Sequence, residues 1–191
     1  MVNECHALRR KIVYFVVTVL CCMRFGGPVP VQAKVFLSKQ EALALAFSEA
    51  DRIENKSFVL TDAQVLEIES KAKARLETKL LTRYAGFKEG VLLGYAFIDT
   101  HVVRTFPEAL LVVLTPQGVV RTLRMLAFYE PQDYLPSQRW LTQLEGKALS
   151  DDLRLQHGIH GIAGATLSSR AVTEAVRRVL AMHQVLSREE R

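Results

Sequence analysis

The amino-acid sequence predicts an α+β fold, a single domain in which an antiparallel sheet of about four strands is flanked by helices. Helix start signals and helical spacing of apolar residues occur before residue 79, and strand-like stretches joined by tight turns occupy residues 79–128. A strongly amphipathic helix closes the chain. Tight connections make neighbouring strands antiparallel, and helices segregated around such a sheet define the α+β class. With 191 residues, 49% of them hydrophobic, the chain is long enough for one hydrophobic core.

The first 33 residues are predicted to be a signal peptide or an N-terminal anchor. Basic residues at positions 9–11 precede an apolar run over residues 12–23, which is shorter than the roughly 20 residues of a membrane span. Ala33 provides the small residue that precedes a signal peptidase cut, so we expect cleavage after it. Arg24 interrupts the segment that a cleaved signal keeps uncharged, which leaves the anchor as the alternative.

Charge and cysteine content exclude several functional classes for the rest of the chain. The formal charge is +5, but four of the 25 basic residues and one of the 20 acidic residues precede residue 34, which leaves +2. So small a charge does not indicate nucleic-acid binding. All three cysteines, Cys5, Cys21 and Cys22, also precede residue 34, so no disulfide, iron–sulfur cluster or c-type haem is expected after it. Redox chemistry there requires a bound cofactor.

Residues 34–78 are predicted to be a helical N-terminal extension. Two capping-box patterns, at residues 38–41 and 61–64, place a hydroxyl residue three positions before Glu or Gln. In such a box each side chain accepts a hydrogen bond from a free backbone N–H at the helix start. The first box predicts a helix over residues 39–52. The second predicts a helix that begins after residue 61 and continues to residue 76.

Residues 79–186 are predicted to form the main domain. Four segments rich in Val, Leu, Ile, Tyr and Phe read as strands, over residues 79–84, 91–99, 109–114 and 119–128. Glycine and proline supply turns between them at residues 88–90 and 115–118. A short helix with Trp140 as a core anchor follows, and the closing helix is expected to expose Arg177 and Arg178 to solvent.

A glycine-rich turn at residues 157–165 leads into this closing helix. Free N–H groups and the positive end of the helix dipole suit a phosphate group at such a place. Three hydroxyl residues follow the turn, namely Thr166, Ser168 and Ser169. The alternative is that one of the serines merely caps the helix. His157 and His160 have no carboxylate at a characteristic spacing, so no metal site is predicted.

The run Gly-Ala-Thr-Leu-Ser-Ser-Arg-Ala-Val at residues 164–172 resembles the signature of FMN-binding domains. Such domains occur in the G subunit of the Rnf electron-transport complex and the C subunit of the sodium-pumping NADH:quinone oxidoreductase. A weaker resemblance extends over about residues 79–181. It implies FMN as cofactor and a flavin transferase that joins the FMN phosphate to the hydroxyl of Thr166. His160 and Ala163 depart from the family pattern, which has an acidic and a small hydroxyl residue there.

The resemblance also guides the choice of cofactor-binding residues. Eight are expected: Thr166, Gly164, Ala165, Leu167, Ser168, Ser169, Glu130 and Tyr134. For three of them a structural role is the alternative. Tyr134 would then lie at the edge of the core, and Glu130 would be a charge exposed to solvent. Leu167 would be the first core residue of the closing helix.

Together these features predict an exported electron-transfer flavoprotein, periplasmic or on the outer face of the cytoplasmic membrane. Its partners would be the flavin transferase and membrane or periplasmic redox proteins as electron donor and acceptor. Two alternatives have the same fold: a binding or scaffold module without flavin, and a flavin reductase. The absence of a dinucleotide fingerprint for NADH disfavours the reductase, so a carrier is expected rather than a stand-alone catalyst.

Overall fold

The computed structural model describes residues 34–190, and the leader with its three cysteines and the expected cleavage after Ala33 lies outside them. The strands are β1 Lys34–Val35, β2 Arg52–Val59, β3 Leu80–Lys88, β4 Val91–Val102, β5 Pro107–Leu114 and β6 Val120–Phe128. The helices are α1 Lys39–Ala46, α2 Asp62–Ala72, α3 Gln138–Leu141 and α4 Thr166–Glu189, with 3₁₀ turns at Gln132–Tyr134 and Thr142–Leu144. None of the helices within residues 34–190 combines the length and apolarity needed to cross a bilayer.

The six strands form one antiparallel sheet in the order β1-β6-β5-β4-β3-β2. The predicted α+β class with an antiparallel sheet flanked by helices is confirmed. The sheet is larger than the four strands predicted, because β1 and β2 extend its two edges.

Strand β2 lies inside the segment that was predicted to be a helical N-terminal extension, between its two predicted helices. Both capping boxes form, at Ser38 and Thr61, but the first helix ends at Ala46 instead of residue 52. Phe47 turns into the core there and is 3% exposed. β2 follows and pairs with β3 along its whole length, with all but one of its residues exposed. An edge strand with little buried surface has no hydrophobic alternation, so the sequence gives no strand signal.

The β3–β4 hairpin forms where the sequence predicts a turn. Glu89 and Gly90 have φ angles of 51° and 79°, the pair of positive values that a type I′ turn requires. Gly118 at the β5–β6 turn has a φ of 77°. These two tight turns therefore join β3 to β4 and β5 to β6 as antiparallel neighbours.

The sheet is covered on both faces. Successive core residues of β4 and β5 belong to two different clusters, as expected where side chains alternate between faces. The larger cluster packs the sheet against α2 and α4. Each of the five residues of the predicted apolar stripe of α4 is at most 1% exposed in it: Val172, Ala175, Val176, Val179 and Leu180. The smaller cluster packs the other face against α1. Helix α4 is thus anchored by its apolar stripe, which positions its N-terminus.

The prediction that Arg177 and Arg178 face solvent is wrong. They are 3% and 4% exposed. Arg177 donates to the carbonyl oxygens of Ala72 at 2.6 Å and Lys71 at 3.2 Å. It also donates to Ser150 at 2.6 Å and Leu153 at 3.1 Å. Periodicity cannot distinguish such an arginine from a solvated one, because its acceptors lie far away in the sequence.

Arg178 belongs to a buried ionic cluster between α4 and the sheet. It donates twice to Asp99, at 2.7 and 3.0 Å. His101 lies between two carboxylates, with Nδ1 2.7 Å from Asp99 and Nε2 2.7 Å from Glu108. Burial alone would lower the pKa of His101, but the hydrogen bonds to both carboxylates raise it to about 9. The imidazole is therefore a cation that neutralises part of a buried negative charge.

This cluster predicts that stability falls at alkaline pH. The folded pKa of His101, about 9, lies above the ordinary value of 6.5. Its contribution is complete below pH 6.5 and is lost as the pH rises through 9. We expect the free energy of unfolding to fall over that range by at most about 1.4 kcal/mol per pH unit, measured by urea denaturation. His101→Gln should remove this slope, whereas replacing the exposed His157 should retain it. A slope that persists in His101→Gln would assign it to other groups.

Candidate functional site

The N-terminus of α4 is open. Its N-cap residue, Ala165, makes no side-chain capping bond. Counted from the start of α4, the first backbone N–H group that has an acceptor is that of Ser169, which donates to the Ala165 carbonyl at 3.0 Å. Among residues 34–190, no acceptor is bonded to the N–H groups of Thr166, Leu167 and Ser168. Three amide donors and the positive helix end are therefore available to an anion.

Neither serine of the motif caps this helix, so that alternative is wrong. The hydroxyl of Ser169 donates to the Ala165 carbonyl at 2.9 Å and accepts from the Ile162 amide at 3.2 Å. Ser168 and Ser169 are 2% and 0% exposed. Thr166 is exposed. It therefore carries the accessible hydroxyl of the motif.

A cleft lies at this helix end, and we call it the Thr166 cleft. Its lining consists of Val103, Arg104, Glu130, Tyr134, Gly164, Ala165, Thr166, Leu167 and Ser168. The structure thus brings seven of the eight sequence-predicted residues together from two distant segments. The exception is Ser169, which is buried and has a structural role.

Glu130 organises one wall of the cleft. It is 5% exposed, so it is not a solvated charge. Its Oε1 accepts from the backbone N–H groups of Arg104 at 3.2 Å, Thr105 at 2.8 Å and Phe106 at 3.0 Å. Burial alone would raise the pKa of Glu130, but these three donors lower it below its usual value. The ionised carboxylate thereby holds the β4–β5 connection against the segment after β6.

The cleft presents aromatic and apolar side chains beside the polar helix end. Leu167 is 42% exposed, so it is not a core residue. Tyr134 is partly buried against the larger core cluster, and the Arg104 guanidinium lies 5.6 Å from its ring centroid. Sequence reasoning missed Val103 and Arg104. They belong to no motif, and only the structure places them in the lining of the cleft, where Arg104 contacts both Glu130 and Tyr134.

The glycine-rich turn is held by the short helix α3 and by the 3₁₀ turn that follows it. Trp140 is 8% exposed and is a core anchor, as predicted. Its Nε1 donates to the His160 carbonyl at 2.7 Å, and the His160 amide donates to Gln143 at 3.0 Å. The side chain of His160 is not needed for these bonds. Among the residues from 34 to 190, no group of three or more metal-ligating side chains occurs.

Gly164 is expected to be required for the shape of the turn. Its φ is +80°, in the left-handed region, although a Cβ atom would meet nothing within 4 Å. Gly164→Ala should therefore destabilise the fold by about 1–2 kcal/mol through backbone strain alone. Gly161 also faces open space but lacks a positive φ, so Gly161→Ala is the matched control and should cost less than about 0.5 kcal/mol. Equal effects in thermal unfolding would contradict this explanation.

The sequence profile of the FMN-binding domain matches residues 61–181. The chain belongs to the FMN-binding domain family. The crystal structure of Shewanella oneidensis NqrC has the same fold, with a TM-score of 0.53 and 16% identity over 80% of this chain and 91% of that one. No curated protein matches the sequence. The family match begins at residue 61, within the segment predicted to be an extension.

The residues at the Thr166 cleft fit the cofactor of an FMN-binding domain. FMN consists of a flat aromatic ring system, a polyol chain and a phosphate. Unbonded amides at residues 166–168 suit the phosphate. Tyr134 and the exposed Leu167 suit the ring, since aromatic and apolar surfaces line most cofactor sites. Both parts of the cofactor thus find complementary groups.

Proposed function

We propose that this FMN-binding domain is an exported electron carrier whose FMN is joined through its phosphate to Oγ1 of Thr166. One observation carries the proposal: the exposed hydroxyl of Thr166 stands at the open N-terminus of α4, in the same cleft as Tyr134 and Leu167. Bound FMN supplies one- and two-electron transfer. The domain's own residues anchor the cofactor and shape its surroundings.

Attachment requires a partner enzyme and an activated donor. Thr166 Oγ1 would attack a phosphorus atom of a flavin-bearing pyrophosphate, such as a flavin dinucleotide. The bond from that phosphorus to the bridging oxygen would break, the nucleoside monophosphate would leave with the electron pair, and the hydroxyl proton would pass to a base of the transferase. Thr166 is exposed enough for such an enzyme to reach it.

The size of the cleft supports a carrier role. Its volume is about 170 Å³, below the roughly 300–1,000 Å³ of pockets that enclose small-molecule ligands. It would seat part of an FMN and leave the rest accessible to redox partners. A covalent anchor then keeps a partly exposed cofactor from dissociating. The leader-like sequence of residues 1–33 supports export to the periplasm or the outer membrane face, where membrane-bound donors and acceptors meet the domain.

Intact mass tests this proposal. The full-length chain, tagged at its C-terminus, is co-expressed with a flavin transferase, purified and denatured. We expect a chain that begins at Lys34 and carries one esterified FMN, together with flavin fluorescence in a denaturing gel. An unmodified mass and a colourless native protein would contradict the carrier function and favour a scaffold without flavin.

A further inference from the structure

Strand β2 is the last strand of the sheet, and its outer edge is unpaired. Within residues 34–190 its backbone pairs with β3 alone. Seven of its eight residues are exposed, so both of its faces are open to solvent. A long and exposed edge strand is a template for pairing with another strand. We call the side of β2 that faces away from β3 the outer edge.

The hydrogen bonds to β3 determine which backbone groups point outward. The N–H of Leu60 donates to the Lys79 carbonyl at 2.9 Å and continues the β2–β3 register. Hydrogen-bonded and non-hydrogen-bonded pairs alternate along an antiparallel ladder, so the even-numbered residues of β2 are the ones bonded to β3. The hydroxyls of Ser57 and Thr82 lie 3.1 Å apart, which suits the closer side chains of a non-hydrogen-bonded pair. The N–H and C=O groups that point outward belong to the odd-numbered residues, which are Ile53, Asn55, Ser57 and Val59.

The charges of β2 are arranged symmetrically about Asn55. Arg52, Glu54 and Lys56 lie on the same face of the strand, since side chains alternate between faces. Arg52 pairs with Glu54 at 3.2 Å, and Lys56 pairs with Glu190 at 2.8 Å. A two-fold axis at Asn55 exchanges positions 54 and 56, which carry opposite charges. The strand is therefore complementary to a second copy of itself.

We propose that the outer edge of β2 pairs with β2 of a second copy of this chain, antiparallel about a two-fold axis at Asn55. The two six-stranded sheets then become one continuous sheet. The outward backbone groups of residues 53, 55 and 57 bond to those of residues 57, 55 and 53 in the other copy. Glu54 faces the partner's Lys56, and Lys56 faces the partner's Glu54, both in non-hydrogen-bonded pairs, where opposed side chains are closest. Each such contact joins the Arg52–Glu54 and Lys56–Glu190 pairs into a network of alternating charge.

Charge disfavours the neighbouring registers. Outward groups must meet outward groups, so one strand can slide along the other only in steps of two residues. A step in one direction places Glu54 against the partner's Glu54 and Arg52 against the partner's Lys56. A step in the other direction places Lys56 against the partner's Lys56. Like charges directly opposite each other destabilise a strand pair, so the register centred on Asn55 is the favoured one.

Sedimentation of the full-length chain tests the inference. The chain is purified as for the mass experiment, and its C-terminal tag is cleaved off because Glu190 lies beside β2. One strand pair buries less surface than the interface of a permanent dimer, so we expect a dissociation constant of roughly 1–100 µM. A monomer at every concentration up to about 500 µM, five times the upper limit of that range, would overturn the inference. The outer edge contributes no residue to the Thr166 cleft, so Thr166→Val should dimerise like the wild type, whether or not flavin is attached.

Charge reversal tests the register. Glu54→Lys places a cation opposite the partner's Lys56 and should weaken the dimer at least about tenfold. The double variant Glu54→Lys/Lys56→Glu makes the facing charges opposite again and should return the dissociation constant to within about fivefold of the wild type. Asp133→Lys is the matched control. It changes the net charge of the chain as Glu54→Lys does, but Asp133 is exposed in the 3₁₀ turn after β6, so the dimer should be unaffected.

Proline substitution tests the backbone pairing. Asn55→Pro removes the two N–H donors that meet at the axis and leaves the bonds to β3, because edge strands tolerate proline where the N–H points to solvent. We expect a monomer with the circular dichroism spectrum of the wild type, whereas Asn55→Ala keeps the N–H and should keep the dimer. A dimer that persists in folded Asn55→Pro would place the interface elsewhere. A Glu54→Lys loss that the double variant fails to restore would refute the register.

Discussion

Thr166→Val is expected to abolish covalent flavin attachment and to leave the fold intact. Valine has the shape of threonine without its hydroxyl, and Thr166 is exposed, so the substitution removes the nucleophile without disturbing the core. No side-chain cap is lost, because the cap position is Ala165 and makes no such bond. Intact mass after co-expression with the transferase should change from fully modified to unmodified, with a circular dichroism spectrum like that of the wild type.

Ser168→Ala is the matched control for this loss. It also removes a hydroxyl from the first turn of α4, but Ser168 is only 2% exposed and Ser169 is fully buried. A macromolecular transferase cannot reach either hydroxyl without unwinding the helix. We therefore expect Ser168→Ala to retain the adduct. If Thr166→Val keeps the added mass and Ser168→Ala loses it, the attachment residue is Ser168.

Arg177→Met is expected to lower the free energy of unfolding by about 3 kcal/mol. The side chain is 3% exposed and donates to four backbone carbonyls, two at the end of α2 and two at residues 150 and 153. Methionine fills much of the volume but leaves these acceptors without their donor. Urea denaturation at neutral pH measures the loss. We expect the transition to stay two-state and the slope of the unfolding free energy against urea concentration to stay unchanged.

Arg188→Met is the matched control for Arg177. Both arginines lie on α4 and bond to α2 or its C-terminal end, but Arg188 is 63% exposed and pairs with Glu67 at 2.7 Å. An exposed ion pair is worth about 0–1 kcal/mol. We expect Arg188→Met to fall within that range. Equal losses in the two variants would show that the buried donor contributes no more than a surface pair.

The sequence predicted which residues form the site more fully than what each of them does there. Seven of the eight expected residues line the Thr166 cleft because the motif is contiguous and Glu130 and Tyr134 belong to a segment that the family resemblance covers. The role of Glu130 was not predictable. Its three amide donors come from the β4–β5 connection, 24 to 26 residues away. Arg104 was missed for the same reason.

The sequence by itself determined the local structure of this protein. Capping boxes, the glycine turns of the hairpins, the apolar stripe of α4 and the run at residues 164–172 are signals contained within a few neighbouring residues, where backbone sterics and nearby hydrogen bonds decide the outcome. Tertiary structure alone decided the edge strand β2, the burial of Arg177 and the assembly of the Thr166 cleft from two distant segments. These depend on groups far apart in the chain, such as Arg177 and Ala72, which are 105 residues apart. Only packing of the whole domain brings such groups within bonding distance.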